Sequence, residues 1–144
     1  MRLFSQDTKV EALKRAPLFQ DLSRKELTHL ARVSEDLEIR AGTALCKEGE
    51  IGREFFVIVE GEVEVTRGGE RVAMRGSGEF VGEIALLEPT PRTATVTAKT
   101  PLRVFVMTDK DFRVLVKESP AVERKVMRAL ARRVVELSRD PTVA

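Results

Sequence analysis

The spacing of apolar residues changes period twice along the chain. Near the N-terminus Val10, Leu13 and then Leu27, Leu30 and Ala31 recur at helical spacing. Ser23 followed three residues later by Glu26 forms a capping box, in which each side chain satisfies the other residue's backbone N–H. The pattern predicts helices over roughly 8–16 and 24–35. From Leu37 the period is two: Leu37, Ile39 and Ala41 alternate with polar neighbours, and Phe55-Phe56-Val57-Ile58-Val59 reads as a buried strand. Val63 and Val65 alternate with Glu62 and Glu64. Gly68-Gly69 then separates 62–67 from 70–74, and two glycines tolerate the positive φ angles of a type I′ hairpin turn. Further on, Ala94, Val96 and Ala98 face one way and Thr93, Thr95 and Thr97 the other, and past Pro101 the residues Leu102, Val104 and Val106 share a face. The helical period then returns. Asp109 is read as the cap of a short helix reaching Lys117, while Ser119 as N-cap and Pro120 at the first helical position open a longer one. The stripe of that longer helix is Val122, Val126, Leu130, Val134 and Leu137.

All nine glycines fall between Gly42 and Gly82, so helical ends flank a turn-rich centre. The fold class that follows is mainly β: a jelly-roll-like, double-stranded β-roll of eight or so strands flanked by N- and C-terminal α-helices. Neither repeats nor linker-like stretches divide the 144 residues, which suffice to bury about 70% of the unfolded chain's surface. The expectation is one domain over 1–144, with N-terminal helices in 1–36, the β-roll in 37–107 and C-terminal helices in 108–140.

Composition narrows the function classes. A single cysteine, Cys46, cannot form an intramolecular bridge and is read as a buried strand residue in a reducing compartment. The longest strictly apolar run, Phe55 to Val59, is far short of the ~18 residues of a membrane helix, and the N-terminus turns polar at Ser5-Gln6-Asp7 before a signal peptide develops. The expected setting is the cytoplasm, without a membrane partner. Basic and acidic groups number 25 and 23, but 119–144 holds Arg124, Lys125, Arg128, Arg132, Arg133 and Arg139 against Glu123, Glu136 and Asp140. Without aromatic interleaving this basic segment reads as a solvated helix face, and no nucleic-acid interface is assigned to this chain alone. His29, the only histidine, supports no metal or acid–base constellation, and neither Cys46 nor any serine has a histidine partner in a recognisable motif. The expectation is a protein that is not an enzyme, with no metal and no cofactor.

Residues 81–96, VGEIALLEPTPRTATV, break the strand pattern more than a strand connection requires. Gly82 lets the backbone approach closely, and Glu83-Ile84-Ala85-Leu86-Leu87 can form one helical turn whose first N–H groups attract an anion. Arg92, held between Pro91 and a strand, can aim a guanidinium at an anion resting there, a bidentate contact that suits arginine better than lysine. A carboxylate at Glu83 would repel a phosphate unless it accepts a hydroxyl hydrogen bond, which a sugar beside the phosphate would supply.

The run Gly82-Glu83-Ile84-Ala85-Leu86-Leu87, the spacer, and Pro91-Arg92-Thr93-Ala94 resemble the phosphate-binding cassette of cyclic nucleotide-binding domains. Such domains occur in cyclic-nucleotide-dependent kinases, gated channels and bacterial catabolite activator proteins. The resemblance extends from Ala16-Pro17-Leu18-Phe19 to the final helix. It implies a sensor of a 3′,5′-cyclic nucleotide. Arg92 would bind the exocyclic phosphate oxygens, Glu83 the ribose 2′-hydroxyl, and the N–H groups around Ile84 and Ala85 would complete the cradle. Thr93, which in the kinase branch accompanies cGMP, would stand beside the phosphate, and the bacterial-activator likeness leans towards cAMP. Val65 and Val72 would wall the base. The terminal helix would close as a lid, starting at Ser119-Pro120, ending at Asp140-Pro141, and bringing Arg133 towards Glu83 and Leu137-Ser138 towards the base. The alternative implied is the sensory part of a catabolite-activator-type transcription regulator, its helix-turn-helix domain missing. The partner would be a second copy joined through the C-terminal helix or an unidentified effector.

Overall fold

The computed structural model describes the backbone of residues 5–138 and the side chains of these except Arg133 and 136–138. Helix α1 (Gln6–Lys14) begins at Ser5, whose Oγ accepts from the Thr8 N–H at 3.2 Å. This cap sets the start two residues ahead of the predicted one, and Pro17 draws Ala16 into extended backbone, which ends the helical run. A short 3₁₀ turn, Pro17–Phe19, follows. Helix α2 (Arg24–Val33) carries the predicted capping box: the Glu26 N–H donates to Ser23 Oγ (3.2 Å) and the Ser23 N–H to Glu26 Oε1 (2.8 Å).

The strands are β1 (Glu35–Ile39), β2 (Ala44–Cys46), β3 (Ile51–Gly52), β4 (Glu54–Glu60), β5 (Val63–Arg67), β6 (Glu70–Arg75), β7 (Phe80–Val81), β8 (Thr90–Pro91), β9 (Thr95–Ala98) and β10 (Leu102–Thr108). They form antiparallel sheets in the orders β1-β10-β4-β7 and β2-β9-β5-β6, with β3-β8 as a two-stranded ribbon. Ala41 lies beyond β1 and Ala94 just before β9. Strand β10 is buried on both sides. Leu102, Val104 and Val106 join Ile58, Val63 and Val96 in one core, while Phe105 and Met107 join Phe55, Val57 and the helices in another. The β5–β6 turn has Gly68 at φ +59° and Gly69 at +83°, the signs a type I′ turn requires. A register shift in this hairpin pairs Val65 with Ala73 and Thr66 with Arg71, leaving Val72 in a bulge.

Two helix expectations are corrected. Helix α3 (Asp109–Glu118) is capped by Thr108, whose Oγ accepts from the Asp111 N–H, and not by Asp109. Asp109 is the first helical residue. Only 2% exposed, it pairs with Arg53 (3.3 Å) and Arg113 (2.9 Å), fixing the helix start to the chain between β3 and β4. Helix α4 (Pro120–Ser138) packs on the core through Val122, Val126 and Ala129 with Leu130 partly covered, whereas Val134 is 57% exposed. Steps of four overshoot a 3.6-residue turn, so Val134 has rotated about 120° from Val122 around the axis. The side chain of Leu137, and the predicted helix end at Asp140-Pro141, fall outside the described residues. The basic face of α4 is also less solvated than expected. Lys125 reaches Glu26 on α2 at 2.7 Å, and Arg132 pairs with Asp21.

Glu26 thus caps one helix and holds another. Burial raises its pKa, but the Lys125 hydrogen bond and the Ser23 backbone and hydroxyl bring it below the ordinary value. The stabilisation is complete above the unfolded pKa of about 4.3 and is lost as pH falls through the lower folded value. Urea unfolding should therefore show Glu26→Gln less stable than the parent at pH 7, the gap closing towards pH 3. Ser23→Ala should cost about 1 kcal/mol.

Candidate functional site

The two residues of β3 pair with the two of β8, Ile51 opposite Pro91 and Gly52 opposite Thr90, and the next residue is Arg92. Its backbone is fixed on the 49–50 turn: the Arg92 N–H donates to the Glu50 carbonyl (2.8 Å), and the Arg92 carbonyl accepts from the Gly49 N–H (2.9 Å). Its half-buried side chain runs back across β3, where Nη2 donates to the Glu54 carbonyl at 2.7 Å. Glycines line this path on both sides. A β-carbon at Gly52 would sit 2.2 Å from Arg92 Nε, and one at Gly82 would sit 2.3 Å from Nη1. Gly82 is also at φ +79°, where an L side chain is strained. Sequence reading saw the backbone approach at Gly82. It missed Gly52, which is remote in sequence and has no turn signature.

From Gly82 the chain enters the expected single helical turn, which is a 3₁₀ turn over Glu83–Leu86. The Ala85 N–H donates to the Gly82 carbonyl at 3.1 Å, so that amide is engaged within the turn, while those of Glu83 and Ile84 precede its first bond. The Glu83 side chain is 5% exposed, unusual burial for a carboxylate. Leu86 enters the core shared by Phe112, Leu115, Val122 and Val126, and Ile84 faces outward.

The two segments meet across a cavity of about 490 Å³, within the range of small-ligand sites. Gly82, Glu83, Ile84, Ala85, Arg92 and Thr93, predicted together, all line it. Val65 lines it as well. Val72 does not; the bulge leaves it 51% exposed, away from the cavity wall. The side chains of Arg133, Leu137 and Ser138 lie outside the described residues. Outside residues 81–96, four further wall residues escaped sequence reading: Cys46, Arg67, Arg75 and Phe80. Cys46 is the buried strand residue expected, yet it also faces ligand space. Burial pushes its thiol pKa up, a shift that Arg92 opposes and Glu54 reinforces. Arg75 stands 3.7 Å from Glu79. Phe80 touches Phe55 (centroids 6.1 Å), which meets Phe19 edge-on (5.7 Å), which in turn neighbours Phe112 of α3 (6.3 Å). A line of aromatic rings thus joins the cavity wall to the helices. Chemically the cavity offers an anion seat beside Arg92, an acceptor at Glu83 and an apolar side at Val65 and Phe80.

Among the described residues no group of three His, Cys, Asp or Glu could hold a metal ion, and no helix is long and apolar enough to cross a membrane.

Comparison with known proteins fits this geometry. The family model for the cyclic nucleotide-binding domain matches residues 36–119, more than half of the chain. A cyclic nucleotide-gated potassium channel of Rhizobium etli is 37% identical over 118 residues, 81% of this chain and 33% of the channel. A cAMP-dependent protein kinase regulatory subunit of Yarrowia lipolytica is 42% identical over 105 residues, 72% of this chain and 28% of the subunit. The chain thus spans about a third of the length of these curated relatives. Among solved structures, the N-terminal domain of a transcriptional regulator from Streptomyces coelicolor superposes with a TM-score of 0.83 at 30% identity, covering 90% of this chain and 96% of that one. Since the matched segment contains every residue of the cavity wall, and the likeness in structure runs on into the flanking helices, the chain belongs to the cyclic nucleotide-binding domain family.

Proposed function

We propose that this chain binds a 3′,5′-cyclic nucleotide monophosphate, cAMP or cGMP, in the cavity between the Glu83 turn and Arg92, and acts as a non-enzymatic sensor. The observation that carries the reading is the pairing of a buried acceptor, Glu83, with an arginine held in a glycine slot, Arg92, on one cavity wall. Arg92 takes the phosphate oxygens, with the amides at the start of the turn and Thr93 beside it. Glu83 accepts the ribose 2′-hydroxyl, which resolves the repulsion that a carboxylate next to a phosphate would otherwise cause. Val65 and Phe80 cover the base from the β-roll, and the end of α4, with Arg133, Leu137 and Ser138, covers it from the other side. Val72 adds to the base pocket only if its bulge turns inward on binding.

The signal leaves through the helices. Leu86 of the turn shares a core with Phe112, Leu115 and Val122, so a ligand that shifts the turn changes the packing of α3 and α4. Differential contacts in two states are what such a switch requires. The single buried cysteine suits a reducing compartment, and the setting is taken as the cytoplasm.

The likeness to the N-terminal domain of a transcriptional regulator favours a second reading, in which this chain is the sensory part of a DNA-binding regulator. The open reading frame from which the chain derives separates the two readings: a following helix-turn-helix domain selects the second. In either case a second copy of the chain, joined through α4, or an effector protein receives the signal.

The first test is calorimetry with cAMP and cGMP. Micromolar or tighter binding of at least one is expected, and heat from neither overturns the reading. The chain has no Trp or Tyr, so copurified nucleotide should also stand out as absorbance near 260 nm. Arg92→Leu should cost about 3–5 kcal/mol of binding, roughly two to four orders of magnitude. Glu83→Gln should cost less, because the amide oxygen still accepts from the ribose.

Gly52→Ala tests the slot. Gly52 is not among the positive-φ glycines and the three atoms nearest an added β-carbon all belong to the Arg92 side chain, so stability should change by no more than about 1 kcal/mol while affinity drops at least about tenfold. In an Arg92→Ala background the same change should leave the residual affinity unaltered.

A further inference from the structure

Arg67 ends β5, one residue before the glycine turn, and its guanidinium folds over the cassette. The chain from β8 to β9 crosses a gap at 92–94 that no strand pairing covers. On one side of that gap the Gly49 and Glu50 backbone holds Arg92, as described above. On the other, Arg67 Nε–H donates to the Thr93 carbonyl at 3.1 Å across 26 residues of sequence. The hairpin tip is itself tied down. The Gly68 N–H donates to Glu48 Oε1 (3.0 Å), and the Glu48 N–H to Thr95 Oγ1 (3.0 Å). Arg67 is therefore part of a clamp that closes on the residue following Arg92, and it lines the same cavity as Arg92 and Thr93.

Arg92 already uses Nη2 on the Glu54 carbonyl, so part of its donor capacity serves the fold and not a ligand. A guanidinium has several N–H donors, and with Nε on Thr93 the terminal nitrogens of Arg67 remain for an anion in the cavity. We propose that Arg67 is a positioning residue for the anion end of the cavity: it sets the Arg92–Thr93 segment through the Thr93 carbonyl and adds a second positive charge beside Arg92. This rests on the cyclic-nucleotide reading above. Because cAMP and cGMP share phosphate and ribose, the contribution is equal for both.

The experiment compares Arg67→Met, Arg67→Lys and Arg71→Met with the parent chain, titrating cAMP and cGMP at several salt concentrations. Arg71 belongs to the same hairpin, pairs with Glu64 at 2.8 Å and is not on the cavity wall, so it controls for general damage to the hairpin. Arg67→Met should weaken whichever nucleotides the parent binds by a common factor of about ten and flatten the salt dependence of affinity. Arg67→Lys, which keeps the charge, should restore the parent's salt dependence and part of its affinity. Arg71→Met should bind like the parent. The proposal is overturned by parent-like binding of Arg67→Met, by selective loss of one of two bound nucleotides, by an unchanged salt dependence, or by an equal loss in Arg71→Met. If the parent binds neither nucleotide, the cyclic-nucleotide reading fails and Arg67 with it. A negative result confined to the Arg67 variants leaves that reading standing.

Discussion

The guanidinium of Arg92 occupies space that two β-carbons would otherwise claim, and much of the site's geometry follows from that exclusion. Gly52 and Gly82 leave a slot between β3 and the start of the cassette, and the Glu54 carbonyl inside it accepts from Nη2. A long side chain loses up to ~2 kcal/mol of rotamer entropy when held in one geometry. Here that cost falls on folding, so a ligand meets an arginine already in place. The slot and the left-handed backbone at Gly82 together explain why that position must be glycine. A β-carbon there would strain the backbone and strike Arg92 at once.

The rest of the molecule supports this slot from two cores. One lies between the sheets, where Val63, Val96 and Val104 meet, and it holds the walls of the cavity apart. The other lies between the β10-containing sheet and the helices, and it receives Leu86 from the cassette and the line of rings from Phe19 to Phe112. Strand β10 belongs to both, which is why it is buried on each face. Close packing means that neither core absorbs a shift of the cassette without repacking, so movement there is transmitted and not damped. The Lys125–Glu26 and Arg132–Asp21 pairs set the resting position of α4 against this core.

Much of the architecture was legible because local rules carry it. Ser23 and Glu26 form a capping box from four residues alone, and Gly68-Gly69 adopt the positive φ angles that their turn demands. Asp109 shows the opposite case. Its residue type suits a cap, but Thr108 was equally able and the chain turned there, freeing the carboxylate to bury itself between Arg53 and Arg113. The helical stripe through Val134 failed because steps of four drift off a 3.6-residue turn, and only the packed face, Val122, Val126 and Ala129, reveals where the drift matters.

The candidate site divides along the same line. Gly82, Glu83, Ile84, Ala85, Arg92 and Thr93 stand within one short stretch that resembles the family's phosphate-binding cassette, so the family and the heart of the cavity wall were legible in the sequence. Cys46, Arg67 and Phe80 reach that wall from β2, β5 and β7, Gly52 of β3 flanks the Arg92 side chain beside it, and Val72 leaves it through a bulge. Contacts between residues tens of positions apart depend on sheet order and register, and these are set by the packing of the whole chain against itself. No local pattern encodes that an arginine at 92 needs a glycine at 52 or that an arginine at 67 closes on the carbonyl at 93, so only the tertiary structure decided them.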